Sequence, residues 1–456
     1  MATRIGAQRP VLIVAILASV VAFLDGTVVH VALPAIDREL GGGLSTQQWV
    51  VDAYLITLGA LILVAGSLSD LFGRVRVMRI GLIGFGITSV AIAAAPTAEF
   101  LIAARALQGV AGALLVPSSL ALITSNFRDA AQARAIGIWT GATTAAMLVG
   151  PVLGGIFVDL LSWRLAFLIN VAPIAVTLVL LARLGLTEHR RPDAHVDWVG
   201  AVLCTVGLGA GVFALIEQPA LGWGSPLIWG SLVLGVGAFA GFLVRQRFAP
   251  QPMMPLSLFR IRNFWAGNLA TAFVYGALSL NGFALAVYLQ QGAGLPATLA
   301  GLAALPSTVI LALFSARVGG LAGRVGPRLF MTIGPAIMAV GAILLLTVGD
   351  DFSYWTQVLP SILVFGTGLC LTVAPLTSAI LGAIEPERSG IASAVNNAVA
   401  RVAGLITIAM VSAIAGGALD LDGFHRTAIA TAVLMVAGAL VSFAGIRNAT
   451  RTAVRR

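Results

Sequence analysis

In the N-terminal half of this sequence three ionisable side chains stand inside long apolar runs, where ions are costly: Asp25, Asp52 and Arg105. Asp25 lies in Phe23-Leu-Asp25-Gly-Thr27, and Asp52 in Trp49-Val-Val-Asp52-Ala-Tyr54. Arg105 opens Arg105-Ala-Leu-Gln108-Gly109. Burial of a carboxylate makes its reversible protonation accessible. A protonatable acid near a fixed guanidinium is the arrangement that proton coupling needs. A plain structural ion pair is the simpler reading of the same residues. A second cluster, Gly66 to Arg76, sets Asp70 beside Arg74 and Arg76 between two glycines, Gly66 and Gly73. There a carboxylate can bond arginines or a neighbouring helix N-terminus, latching one conformation and releasing in another. A polar turn with basic residues is the alternative.

The elements that must carry these residues are membrane spans. The 456-residue chain is 59% hydrophobic and only 10% charged, against roughly a quarter charged in a soluble domain. A water-soluble fold of this length could not hide so much apolar surface. Runs of about twenty apolar residues fall at 11–33, 48–69, 77–96, 99–122, 134–158, 163–184, 197–216, 227–244, 264–290, 297–319, 327–349, 355–378, 389–416 and 425–446, about fourteen in all. None shows the period-2 alternation of a β-barrel. The first run is too long for a signal peptide and reads as an uncleaved helix. Cys204 and Cys370 both lie in apolar runs and read as packed thiols.

Charge sets the orientation. The net charge is +9, and all 27 basic residues are arginine. With both termini in the cytoplasm, 22 arginines face inward, three (Arg38, Arg164, Arg426) face outward and two (Arg105, Arg401) lie within spans. Arginines spread through inter-span gaps argue for topology and against nucleic-acid binding. By helical rise, Asp25 lies about 21 Å from the inner end of its run and about 12 Å from the outer end. Arg105 lies about 9 Å deep and Asp52 about 6 Å deep from the outside. Arg401 stands alone near the midplane of the C-terminal half. It must face a wet cavity, a polar cluster such as Asn396 and Asn397, or an acid from the other half; it could also bind an anionic substrate.

The longest polar gaps, Arg183–Asp197 and Arg245–Asn263, divide the spans as six, two and six. The corresponding domains are an N-terminal bundle at 1–190, an inserted pair at 191–250 and a C-terminal bundle at 251–456. A faint repeat relates the Gly66–Arg76 loop to Gly319–Arg328, with Gly323 in place of the carboxylate. Repeated halves around a central site are common in secondary transporters. In the fifth run, Gly137, Gly141, Gly150, Gly154 and Gly155 admit a close neighbour, and Pro151 permits a kink. Tight contact there with the other half would limit leak, while ordinary helix packing explains the same residues. No Walker A loop, Cys/His metal spacing or nucleophile elbow is present. The sequence therefore points to no enzyme, no cofactor and no metal, with an ion gradient as the energy source.

The Gly66–Arg76 segment resembles the loop signature of the major facilitator superfamily. Four further segments resemble signatures of its fourteen-span drug:proton antiporter family: Phe23 to Ile36, Arg105 to Gly109, Gly137 to Gly155 with Gly150-Pro151-Val-Leu-Gly154-Gly155, and Trp163 to Val171 with Asn170. Ser389 to Asn397 is a weaker match. His30 stands where the family usually has Asn, reading as an interfacial histidine, and Ala146 replaces a usual glycine. The resemblance implies a major facilitator fold, all-α, with two six-helix bundles plus two inserted helices. It implies proton-coupled export of small, mostly hydrophobic compounds by alternating access, as in multidrug or metabolite efflux. The partners would be substrate, protons and the bilayer, and the chain would function as a monomer in the cell (cytoplasmic) membrane. Proton coupling would rest on Asp25, Arg105 and Asp52, the latch on Gly66, Asp70, Gly73, Arg74 and Arg76, and the antiporter-type packing on Gly150, Pro151, Gly154 and Gly155. Depth and chemistry suggest Phe23, Tyr54, Trp139, Tyr275, Asn281, Tyr288, Asn397 and Arg401 as cavity linings. The alternatives are a metabolite uptake symporter or facilitator of the same fold and a non-transporting membrane sensor.

Overall fold

The computed structural model describes residues 2–184, 196–385 and 388–448, and all regular structure among them is helical. Fourteen helices are long and apolar enough to cross a membrane. They are α1 (Gln8–Leu40), α2 (Gly43–Phe72), α3 (Arg74–Ala93), α4 (Ala98–Asn126), α5 (Arg134–Leu160), α6 (Trp163–Leu184) and α7 (Trp198–Leu221). There follow α8 (Pro226–Phe248), α9 (Arg262–Gln291), α10 (Ala297–Val325), α11 (Pro327–Thr347), α12 (Tyr354–Leu381), α13 (Ser389–Ala409) and α14 (Leu421–Gly445). Many large apolar side chains, Val233, Val236 and Leu440 among them, point outward, as a bilayer-covered surface requires.

Several helices run past the limits that hydropathy gives them. α1 continues through Pro34 to Leu40, so Asp25 stands about 22 Å from the end at Leu40 and about 26 Å from Gln8. It is thus near the middle of its helix rather than in one half. α2 starts at Gly43, which places Asp52 about 13 Å along it, twice the depth expected. Other helices are interrupted where proline removes a backbone donor. The breaks at Leu114, Ile169–Asn170 and Ala304 each precede a proline: Pro117, Pro173 and Pro306. Each of these cannot bond the carbonyl four residues back.

The chain divides into two compact units. The first comprises Met1–Met253 with Gly294–Leu302, and the second Met254–Ala293 with Ala303–Arg456. In the first, α1 packs on α5 and α2 on α4, while α7 pairs with α8 and leans on α2. Its core includes Val14, Ala18, Leu58, Leu82 and Phe85. In the second, α9 packs on α13 and α14, and α11 on α12, around Val274, Met338, Phe365 and Met435. The expected boundary at residue 190 falls in 185–195, outside the described residues, as do Arg190, Arg191, Arg451, Arg455 and Arg456.

Asp197 fastens the α7–α8 pair. Its carboxylate caps α7 through the Gly200 N–H at 3.0 Å and accepts from Arg245 at 3.1 Å and Gln246 at 3.0 Å on α8. Burial acts to raise the Asp197 pKa, but the Gly200 amide, Arg245 and Gln246 together hold it below the usual carboxylate range.

Candidate functional site

The charges of the first unit converge on one buried cluster. Arg105 Nη1 donates to Asp25 Oδ2 at 2.6 Å, and both side chains are fully inaccessible. The same nitrogen donates to Gln108 Oε1 at 2.6 Å, and Arg105 Nε donates to the Val50 carbonyl at 2.9 Å. The other Asp25 oxygen accepts from Gln108 Nε2 at 3.2 Å and Asn170 Nδ2 at 3.0 Å. Ser89 closes the ring, accepting from Gln108 at 3.0 Å and Asn170 at 3.4 Å. Five helix segments thus meet at one carboxylate–guanidinium pair. The guanidinium also lies over the Tyr54 ring, 4.3 Å from its centroid, and 5.7 Å from that of Phe167, a cation–π setting that helps offset desolvation.

Local sequence explains the convergence. Arg105 and Gln108 are three residues apart and share one face of α4. The break before Pro173 puts Asn170 between two helical pieces of α6, where its side chain can reach across to α1. Gly109 lets α4 approach α2: a Cβ there would lie 2.3 Å from the Tyr54 carbonyl oxygen. Asp52 is equally buried, but neither of its oxygens has a hydrogen-bond partner among the described residues. It is therefore not hydrogen-bonded to the Asp25–Arg105 pair with which the sequence groups it.

The Gly66–Arg76 segment forms the turn between α2 and α3. Gly73 makes it with φ of 99°, a conformation glycine adopts without strain. Arg74 Nη2 bonds Asp70 at 3.3 Å, and Arg74 Nη1 donates to the Ala121 carbonyl at 3.1 Å. Arg76 is exposed and Gly66 has open space around it. On α5 the glycines serve different neighbours. Gly150 and Gly154 admit α1, where a Cβ would meet Thr27 Oγ1 at 2.2 Å and Val28 Cγ2 at 2.7 Å. Gly155 admits the start of α10, with the Thr298 Cα 2.5 Å from a built Cβ. One turn on, Asp159 accepts from the Ala297 N–H at 2.9 Å and the Thr298 N–H at 2.7 Å. Pro151 lies within α5, and its carbonyl oxygen is 2.4 Å from a Cβ built on Gly301. Gly137 and Gly141 admit nothing, since no atom lies within 4 Å of a Cβ built on either. The packing reading is corrected for these two: Gly137 is about five turns from Gly155 and shares its face, but it lies on a stretch of α5 that no neighbour approaches.

The expected cavity linings scatter. Tyr54 is buried beneath Arg105. Phe23 meets Trp139 edge-on at 6.4 Å, and Trp139 Nε1 donates to Ser19 at 3.0 Å. Tyr288 is 4% exposed and stacks on Phe424 at 4.1 Å, and it lines a cavity of about 440 Å³ with Gln291 and Asp350. Tyr275, Asn281 and Arg401 are half-buried, and Asn397 is exposed, bonding the Ser393 carbonyl at 3.1 Å within its own helix. Arg401 is not the lone charge of the C-terminal spans, because Arg317 lies inside the run 297–319 and α10, by extending to Val325, also includes Arg324. The second unit has its own polar cluster, in which Asn396 Nδ2 donates to Asn268 Oδ1 at 3.2 Å and Thr271 Oγ1 at 2.8 Å. Cys204 and Cys370 are free, buried thiols.

Gln108 and Asn170 stand in the sequence motifs without an assigned role, and Ser89 belongs to none of them. Their polarity within apolar runs was the available signal. A brace at the C-terminal end of α1 also had no local signal: Glu39 pairs with Arg164 and accepts from Trp163 Nε1 at 2.6 Å.

Residues 15–408 match the family model described as the Major Facilitator Superfamily. The chain is 34% identical over 407 residues to the methylenomycin A resistance protein of Bacillus subtilis (strain 168), covering 89% of this chain and 87% of that protein. It is 33% identical over 416 residues to the puromycin resistance protein pur8 of Streptomyces alboniger, covering 89% and 82%. A probable actinorhodin transporter of Streptomyces coelicolor (strain ATCC BAA-471 / A3(2) / M145) is 34% identical over 415 residues, covering 88% and 71%. Among solved structures, a peptide transporter POT in complex with sulfate superposes with a TM-score of 0.72 at 16% identity, covering 96% of this chain and 94% of that one. A D-xylose–proton symporter superposes with a TM-score of 0.70 at 15% identity, covering 96% and 98%.

Proposed function

The chain belongs to the Major Facilitator Superfamily, and from that premise we propose that it exports small, mostly hydrophobic compounds in exchange for protons. It is a multi-pass membrane transporter rather than an enzyme. Export has its support in the resistance and export proteins it is similar to. Proton coupling has its support in one observation, the buried Asp25–Arg105 pair. A fully desolvated carboxylate bonded to a guanidinium is an ionic unit whose stability depends on its proton. Protonating Asp25 removes the anion that holds Arg105 and frees the cluster to rearrange. Asp52, buried without a bonding partner among the described residues, is a second place where a proton can be held. The Asp70–Arg74 turn supplies a cytoplasmic latch, with both termini on that side, as the 22-to-3 arginine bias favours. No cofactor is required, and one chain suffices.

Asp25→Asn mimics the protonated acid with little change of shape. In proteoliposomes with an imposed pH gradient, it should abolish concentrative transport in a chain that still inserts and folds, at a stability lowered by loss of the anion that pairs Arg105. Substrate accumulation equal to wild type would refute the assignment. The direction of flux in the same assay separates export from proton-driven uptake.

A further inference from the structure

The hydrogen bonds around Asp25 leave one buried acceptor over. Asn170 is fully buried. Its Nδ2 donates to Asp25 Oδ1 at 3.0 Å and to Ser89 Oγ at 3.4 Å, while its Oδ1 has no hydrogen-bond partner among the described residues. Gln108 makes the same two donations, at 3.2 Å and 3.0 Å, but its Oε1 is taken by Arg105 Nη1 at 2.6 Å. The two amides are therefore unequal. Turning Gln108 over would set its amino group against the guanidinium. Turning Asn170 over breaks no bond to its oxygen. The two ends of a planar amide are also so alike in size that the turn needs no extra space.

Protonation of Asp25 changes what this site needs. An ionised carboxylate only accepts, whereas a carboxyl group carries an O–H that must donate. The Oδ2 edge meets Arg105, so the proton belongs on Oδ1, which faces two amino groups. The acceptor of the ring that holds no hydrogen bond is Asn170 Oδ1. We propose that Asn170 reads the proton on Asp25: its amide donates to the carboxylate and turns over to accept from the carboxyl group. Turned, its oxygen takes the Asp25 O–H and the Ser89 O–H, since a hydroxyl both donates and accepts. Its amino group moves to where the oxygen now lies, and Gln108 keeps its place. The gain is an acceptor for the carboxyl hydrogen, which the unturned amide would oppose with an N–H. This inference rests on the reading of Asp25 as the coupling acid, and it makes α6 the helix that senses its charge. Away from the helix ends, the other charged or titratable groups of α1 to α6 are His30, Asp52, Tyr54 and Arg105. Of these only Arg105 hydrogen-bonds Asp25, and a guanidinium cannot accept.

The test is infrared difference spectroscopy of the full chain in lipid films, taken between neutral and acidic pH. The carboxyl C=O band that appears on acidification and is missing in Asp25→Asn belongs to Asp25. In the wild-type chain it should lie where a hydrogen-bond-donating carboxyl absorbs. In Asn170→Leu, which keeps the volume and removes the amide, the band should move to the higher frequency of a carboxyl that donates to nothing. A purely structural Asn170 would lower stability and leave the band in place. A second measurement leaves position 170 intact and so stands even where Asn170→Leu fails to fold. In wild-type chain grown with isotope-labelled asparagine, acidification should shift one side-chain amide C=O band to lower frequency, as an oxygen without donors gains two. That shift should be lost in Asp25→Asn. An Asp25 band unmoved by Asn170→Leu, or no asparagine shift that depends on Asp25, would overturn the proposal. Absence of any carboxyl band that Asp25→Asn removes is a different failure: it would strike the coupling reading itself, and this inference with it.

Discussion

The two units solve the problem of buried polarity in opposite ways. The first sinks a full ion pair, Asp25–Arg105, and surrounds it with Gln108, Asn170 and Ser89. The second joins α9 to α13 through an uncharged cluster, Asn396 with Asn268 and Thr271. Amides and aliphatic hydroxyls have no accessible second protonation state, whereas a carboxyl group exists in a charged and a neutral form. The contrast teaches that helix pairing alone does not call for charge here. Neutral hydrogen bonds suffice to join α9 and α13. The costlier arrangement stands where a change of protonation can alter the structure.

The sharpest way to break this comparison is to remove the cation. Arg105→Gln leaves the Asp25 carboxyl buried without its partner, which should cost about 3–5 kcal/mol. Unfolding in mixed micelles should show this at neutral pH, and Asp25→Asn in the same chain should restore much of the loss. Additive effects of the two substitutions would mean that the pair is not a unit. A smaller effect is expected in the second unit. Asn396→Ala removes two neutral hydrogen bonds and should cost about 1–2 kcal/mol. This loss should be the same at pH 5 and pH 8; a pH-dependent loss would show that the cluster is coupled to a charge.

The smallest effect concerns Asp197. Its pKa is held below the usual carboxylate range in the folded chain, so its stabilising contribution is fully present above that range and lost as pH falls through the folded value. Arg245 is 40% exposed, so its share is screened. Asp197→Asn should lower stability by about 1 kcal/mol at pH 7, and the two proteins should converge on acidification below the carboxylate range. A difference that persists there would assign the effect to packing.

Much of this was legible in the sequence, and the parts that were not share a cause. Fourteen spans follow from hydropathy because each is a local property of about twenty residues. Their ends were less legible. α1 carries helix through Pro34 into Asp37, Arg38 and Glu39, residues whose charge marks the end of an apolar run but not of a helix. The Asp25–Arg105 pairing could be guessed from depth, yet the bonds from Gln108 and Asn170 span 83 and 145 residues of chain. No local pattern encodes such distances. The glycines of α5 make the same point. Gly137 and Gly155 are identical in type and lie on one helix, but only Gly155 meets another backbone. The two share a face, about five turns apart, so where along that face a neighbour arrives is a tertiary property.

The close approach at Gly109 sets a mechanical rule for the cluster. A methyl group there would fall 2.1 Å from Thr57 Oγ1, and Thr57 in turn donates to the Ala106 carbonyl at 2.7 Å. Backbone and side chain interlock, like a tooth in a rack, so α4 cannot slide along α2 by a fraction of a turn. The Val50 carbonyl, also on α2, holds Arg105 Nε. Any displacement that draws the guanidinium from Asp25 by moving α4 must therefore carry α2 as cargo. The two helices travel as a single strut, and the carboxylate on α1 is the part they leave behind.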